Sequence, residues 1–223
     1  MKKSSLDLNY LTYCMKNILL LIILLFSLSC YSQFITVDET YTTQELIEDI
    51  LINSPCSGTS NYLAVTGTDF GEGNGIAAFN ANGSDFPYQE GIILSSGFVS
   101  NAPGPNLHPN TNNDGSTNWP GDSDLDAFTN VNPSTNASFI QFDFIPAIST
   151  ISFNFLFVSD EYNQFYECSY SDAFAFIITD QVTGVAVNLA VLPGTTIPIE
   201  CTNIHPDVTE LCPSINELYF EKY

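Results

Sequence analysis

Asp122, Asp124 and Asp126 stand two residues apart in a stretch rich in Asn, Gly and Pro, with Asp114 upstream. A loop of this kind can wrap carboxylates and carbonyls round Ca2+, which takes about six to eight oxygen ligands. In an extended strand all three carboxylates would share one face and repel unless a cation lay among them. The glycine and the distant glutamate of an EF-hand loop are absent, so that motif is excluded. The alternative is an acidic loop held in water. Asp114, Asp122, Asp124 and Asp126 are thus the expected metal ligands, and Ca2+ is the one cofactor expected.

Asp160 and Glu161 form a second acidic pair. Two carboxylates hydrolyse a glycoside when they face one cleft roughly 5 to 10 Å apart. Adjacent strand residues point to opposite faces, so the second acid of such a pair would have to be Glu167 or Asp172. The simpler expectation is that Asp160 and Glu161 satisfy backbone groups at a strand end or help to hold an ion. Trp119, Tyr162, Tyr166 and Tyr170 lie near these acids in sequence or in the acidic loop, and could stack on sugar rings. Core or loop packing is the alternative use of the same rings. The candidate ligand-binding set is Trp119, Asp160, Glu161, Tyr162 and Tyr166.

Gly71, Gly73 and Gly75 do not have the spacing of a dinucleotide fingerprint, and Glu72 would repel a phosphate, so a tight turn is expected. His108 and His205 each adjoin a proline, with no nucleophile arrangement beside them. No catalytic residue is assigned.

The elements that must position these groups are mostly strands. From Phe153 to Thr179 two alternating runs flank the turn Ser159-Asp160-Glu161-Tyr162. Ile151, Phe153, Phe155 and Phe157 share one face, and so do Phe174, Phe176 and Ile178, as half-buried strands require. Further strands are expected at 34–37, 62–66, 76–80, 91–96, 138–145, 148–158, 173–179, 185–192 and 197–202. Thr42 and Glu45 have capping-box spacing ahead of Leu46, Ile47, Ile50 and Leu51, which predicts the only helix. Many short strands, one N-terminal helix and no βαβ rhythm point to a mainly β fold, an antiparallel sandwich or jelly roll. Residues 101–136 have almost no apolar period and read as one long loop.

Residues 1–32 read as a secretory signal peptide, with the true start expected at Met15. Lys16 supplies a basic opening, Ile18 to Leu28 the apolar stretch, and Ser32 the cleavage point. A lipoprotein acylated at Cys30 is the rival, with Ser27 where leucine is the usual residue. Residues 33–223 make one domain. Of the 25 acidic residues only Asp7 precedes position 33, which leaves 24 against the single basic Lys222, a formal charge of −23. Such a field excludes nucleic acid and anionic membrane surfaces as partners. Export permits disulfides among Cys56, Cys168, Cys201 and Cys212. Three pairings are open, with Cys201–Cys212 the first choice, and the absence of a C-x-x-C pair disfavours zinc.

Seven segments then occur in a telling order. They are Gly71-Glu72-Gly73-Asn74-Gly75-Ile76, Gly91-Ile92-Ile93-Leu94-Ser95-Ser96-Gly97, Gly104-Pro105-Asn106, and Gly121-Asp122-Ser123-Asp124-Leu125. Phe157-Val158-Ser159-Asp160-Glu161-Tyr162, Asp172-Ala173-Phe174-Ala175-Phe176 and Asn188-Leu189-Ala190-Val191-Leu192-Pro193-Gly194-Thr195 complete the series. In this order they resemble the choice-of-anchor L domain of secreted Bacteroidota proteins, over about residues 35 to 223. The resemblance implies a secreted or cell-surface protein handled by the general export machinery and then by type IX secretion. It supplies no catalytic residues. The segment Leu218 to Tyr223 opens an amphipathic pattern without a terminator, so a fragment of a longer protein is expected. The functional expectation is a binding or adhesion module for an extracellular glycan or surface protein. A carbohydrate-active hydrolase and a non-binding spacer are the alternatives.

Overall fold

A computed structural model describes residues 13, 15, 16, 34–52, 58–104, 118–147, 150–162 and 165–220. The proposed signal peptide lies almost wholly outside them, as do Cys56, His108 and Asp114. No helix among the described residues is long and apolar enough to cross a membrane.

The chain is mainly β, with antiparallel ladders throughout. Strand β1 (Thr36–Asp38) pairs with β3 (Ile76–Asn80), which pairs in turn with β4 (Glu90–Leu94). Strand β2 (Gly58–Val65) pairs with β5 (Phe139–Ile145), and the ladder shifts register between Ser60 and Leu63. Asn61 takes a left-handed conformation there, with φ 57°, as the extra residue of a bulge often does. In the C-terminal half β6 (Ala173–Phe174) pairs with β9 (Ile199–Glu200), and β7 (Ile177–Thr179) with β8 (Ala186–Asn188).

The expected capping box forms. The Thr42 side chain accepts from the Glu45 N–H, and the Glu45 carboxylate accepts from the Thr42 N–H at 2.8 Å. These bonds start helix α1 (Thr43–Glu45), which continues as a wider, π-wound segment, Leu46–Ile52. Its apolar face lays Leu46 on Ile76 and Ala78, with Ile50, Ala64, Ile92 and Ile140 round them. A second core gathers Ala190, Leu192, Ile199 and Ile204, against which Phe157, Phe174, Phe176 and Phe220 pack.

Two expectations on elements need correction. The long loop contains a second helix, α2 (Ser123–Phe128), capped by the Asp122 carboxylate, which accepts from the N–H groups of Asp124 and Leu125. Acidic residues in a first turn suit the positive end of the helix dipole. The expected strand 148–158 has no ladder over its described residues, 150–158. The alternation there records side-chain burial instead. Phe153 lies on Phe176 with ring centroids 3.9 Å apart, and Phe155 on Phe174 at 5.1 Å.

Candidate functional site

The chemistry-bearing groups that the fold brings together lie between Ser159 and Asp172. Two tight turns, Asp160–Tyr162 and Tyr166–Cys168, carry most of them. The first turn is pinned by Tyr162, whose hydroxyl donates to the Ile204 carbonyl at 2.7 Å and whose ring meets Phe220 edge-on at 4.9 Å. The second is pinned by a disulfide between Cys168 and Cys212. That bond ties it to a loop closed by paired backbone bonds between His205 and Ile215. The floor is the junction of β6 with β9. There the Cys201 N–H donates to the Asp172 carbonyl at 3.2 Å. The Ser159 hydroxyl links the two ends of the site. It donates to Asp172 Oδ2 at 2.6 Å and accepts from the Glu161 N–H at 3.1 Å.

Four carboxylates share this neighbourhood. Burial holds the Glu161 carboxyl above its ordinary pKa, and the charges of Asp172, Asp160 and Glu167 push it the same way. Burial raises the Cys201 thiol to about 12, which keeps it protonated and unreactive. The Tyr162 hydroxyl is also raised, first by burial and then by Cys201. Glu167 is 3% exposed, and its Oε2 meets no hydrogen-bond partner. Glu200, 1% exposed, has the opposite surroundings. It accepts from the N–H and side-chain amide of Asn130 and from the side-chain amide of Asn203, so both of its oxygens are hydrogen-bonded inside the fold. Among the described residues no group of three or more His, Cys, Asp or Glu side chains is gathered so as to hold a metal ion.

An aromatic rim borders the acidic turn. Phe165, Tyr166 and Tyr170 are exposed, and the two tyrosine rings meet edge-on with centroids 5.9 Å apart. Phe165 adopts φ 69°, ψ 26°. A bulky residue in the left-handed region is strained, and such strain persists only where surrounding structure imposes it.

The predicted site residues separate into those the fold gathers and those it disperses. Asp160, Glu161 and Tyr166 are gathered at the turn. Tyr162 is there too, but its ring faces inward as an anchor. Trp119 is a correction: it is 2% exposed and its indole N–H donates to the Ala137 carbonyl at 3.0 Å, so no sugar can reach its ring. Its neighbour across the core is Gly67, where even a Cβ would lie 2.9 Å from the indole. The aspartate triplet sits on a helix end, not on an extended strand. Asp122 and Asp126 are one turn apart, while Asp124 projects from the other side. Asp122 caps α2, and Asp126 Oδ1 accepts from the Ser134 N–H at 2.8 Å. The cysteine pairing is a second correction. Cys168 bonds Cys212, while Cys201 is a free, buried thiol. Cys201 opens the tight turn that follows β9, and its thiol meets Ser159 and Tyr162 instead of Cys212.

Glu167 and Asp172 entered the sequence reading only as spare acids for a hydrolase. The signal that could have raised them was the want of basic residues: every carboxylate the fold buries has to find a partner other than Lys or Arg.

A family model for the choice-of-anchor L domain matches residues 35–223. No curated protein and no solved structure matches the chain.

Proposed function

The chain belongs to the choice-of-anchor L domain family, and from that premise we propose that it is a surface-associated module of a larger protein, working outside the cell, whose task is binding. The observation that carries the binding role is the exposed aromatic rim of Phe165, Tyr166 and Tyr170 beside the carboxylates of the Ser159–Asp172 turn. Flat rings stack on the apolar faces of sugars, and neighbouring carboxylates accept from sugar hydroxyls. An extracellular glycan is therefore the first ligand class to test, with a surface protein second. A strained, disulfide-backed turn presents such groups with little ordering cost on binding.

Calcium dependence is a finer part of the same reading. Glycan screens accordingly run with calcium and with chelator. The deciding experiment is a glycan array followed by titration of the retained sugar against the Tyr166→Ala, Tyr170→Ala double variant. Binding should fall by about tenfold or more, while the melting temperature stays close to that of the parent, since both rings are exposed. Unchanged binding would remove the rim from the site, and a parent protein that retains no glycan would turn the search to surface proteins.

A further inference from the structure

The hairpin of β7 and β8 turns an aliphatic face outward. Ile178 and Val187 are direct cross-strand partners, so their side chains lie together on one face. The pairing continues past both ends of the ladder. The Asp180 N–H donates to the Val185 carbonyl at 2.9 Å, and the Leu189 N–H to the Phe176 carbonyl at 2.7 Å. Val185 and Leu189, two residues either side of Val187, therefore share its face. Ile178 is 39% exposed, Leu189 42%, Val187 48% and Val185 59%, while Val182 at the tip is 95% exposed.

This face is fixed in place from behind. Asn188 Oδ1 accepts from the N–H groups of Phe176 at 3.0 Å and Ala190 at 2.9 Å, and Ala190 is part of the second core. The tip is ordered as well. The Asp180 carboxylate accepts from the N–H groups of Val182 and Thr183 at 2.8 and 2.9 Å, and Gly184, at φ 70°, donates to the Asp180 carbonyl at 2.7 Å. A surface already ordered has little left to lose on binding.

Charge narrows what can cover it. Residues 33–223 hold 24 acidic side chains against Lys222 alone. Such a field repels an anionic membrane surface and a second copy of the same chain. An aliphatic face also lacks the rings on which a sugar stacks. From Ile177 to Leu189 the only charged residue is Asp180, whose carboxyl the Thr183 and Val182 N–H groups hold below its ordinary pKa. An aliphatic strip with a fixed anion at its end, in a strongly negative field, is complementary to an aliphatic strip bordered by Lys or Arg.

We propose that the outer face of the β7–β8 hairpin docks a cationic protein whose contact strip alternates aliphatic residues with Lys or Arg. This face shares no residue with the aromatic rim, and the proposal stands whether or not the rim binds glycan.

The test is fluorescence anisotropy of a labelled peptide of alternating Val and Lys, titrated with the purified protein. Saturable binding is expected, weakening as salt rises from about 0.1 M to 1 M and the screening length shrinks from about 10 to 3 Å. A Val/Glu peptide should not bind, and a Ser/Lys peptide should bind at least about tenfold more weakly. The Val185→Thr, Val187→Thr double variant should lose about tenfold or more in affinity for the Val/Lys peptide. It should melt close to the parent, since both side chains are exposed and threonine suits a strand. It should also retain whichever glycan the parent retains, which separates this face from the rim. No saturable binding, equal binding of the Ser/Lys peptide, or unchanged affinity in the double variant overturns the proposal. Sedimentation equilibrium of the protein alone should show a monomer. A dimer that dissociates in the double variant would assign the face to a second copy and overturn the proposal too.

Discussion

Replacing Cys168 and Cys212 by alanine removes the bond that fixes the acidic turn, and its cost follows from the chain between them. The two positions are 44 residues apart. The loop-entropy relation gives about 4 kcal/mol for a loop of that length at 25 °C. In a protein near this size about 2–4 °C of melting temperature is lost per kcal/mol, so a fall of roughly 8–16 °C is expected. The rival Cys201–Cys212 bond would span only 11 positions and would contribute about 3 kcal/mol, too close for stability alone to separate. Peptide mapping separates them. Trypsin is useless on a chain whose only basic residue after position 32 is Lys222, but a glutamate-specific protease cuts after Glu167, Glu200, Glu210 and Glu217. Cys168, Cys201 and Cys212 then fall on peptides 168–200, 201–210 and 211–217. After thiol alkylation under denaturing conditions, the first and third should appear joined and the second alkylated alone. Peptide 201–210 joined to 211–217 would refute the placement of Cys201 in the floor of the site. A melting temperature unmoved by reduction would refute the claim that the bond holds the turn.

Three further outcomes follow from the same structure. Glu161 is held above its ordinary pKa, so the unfolded chain releases that proton first; the stability of the native state should fall as pH rises from the usual glutamate range through the raised value. Glu161→Gln should flatten this slope in pH-dependent urea melts, and an unchanged slope would count against the crowded turn. Trp119, the single tryptophan, should emit at short wavelength and resist acrylamide quenching, and Trp119→Ala should cost about 3–5 kcal/mol in denaturant unfolding. Gly73→Ala would place a Cβ 1.9 Å from the Phe98 ring, so a loss of about 1–3 kcal/mol is expected, and a neutral result would show that Phe98 swings away freely.

The sequence by itself determined what depends on near neighbours. The capping box of Thr42 and Glu45 is a three-residue pattern, and it forms as expected. Strand β3 falls on the expected residues 76–80, because its short apolar run Ile76–Phe79 is buried throughout. The family, the mainly β class and the want of basic residues were equally legible, since each is a property of order and composition. The second helix was hidden, because the spacing of Asp122, Asp124 and Asp126 suits an extended loop as well as a capped turn. Trp119 looked like an exposed ring because its loop is polar, but it is buried with Gly67 close against the indole and the Ala137 carbonyl accepting its N–H. Tertiary structure alone decided the rest. The Cys168–Cys212 bond closes 44 residues and the Glu200–Asn130 contact 70, and no local signal specifies such distances. The same long-range packing buries Glu167 without a partner and gives Glu200 three donors. Which carboxylate is satisfied depends on what the remote chain brings to it, and that is fixed only when both cores have closed.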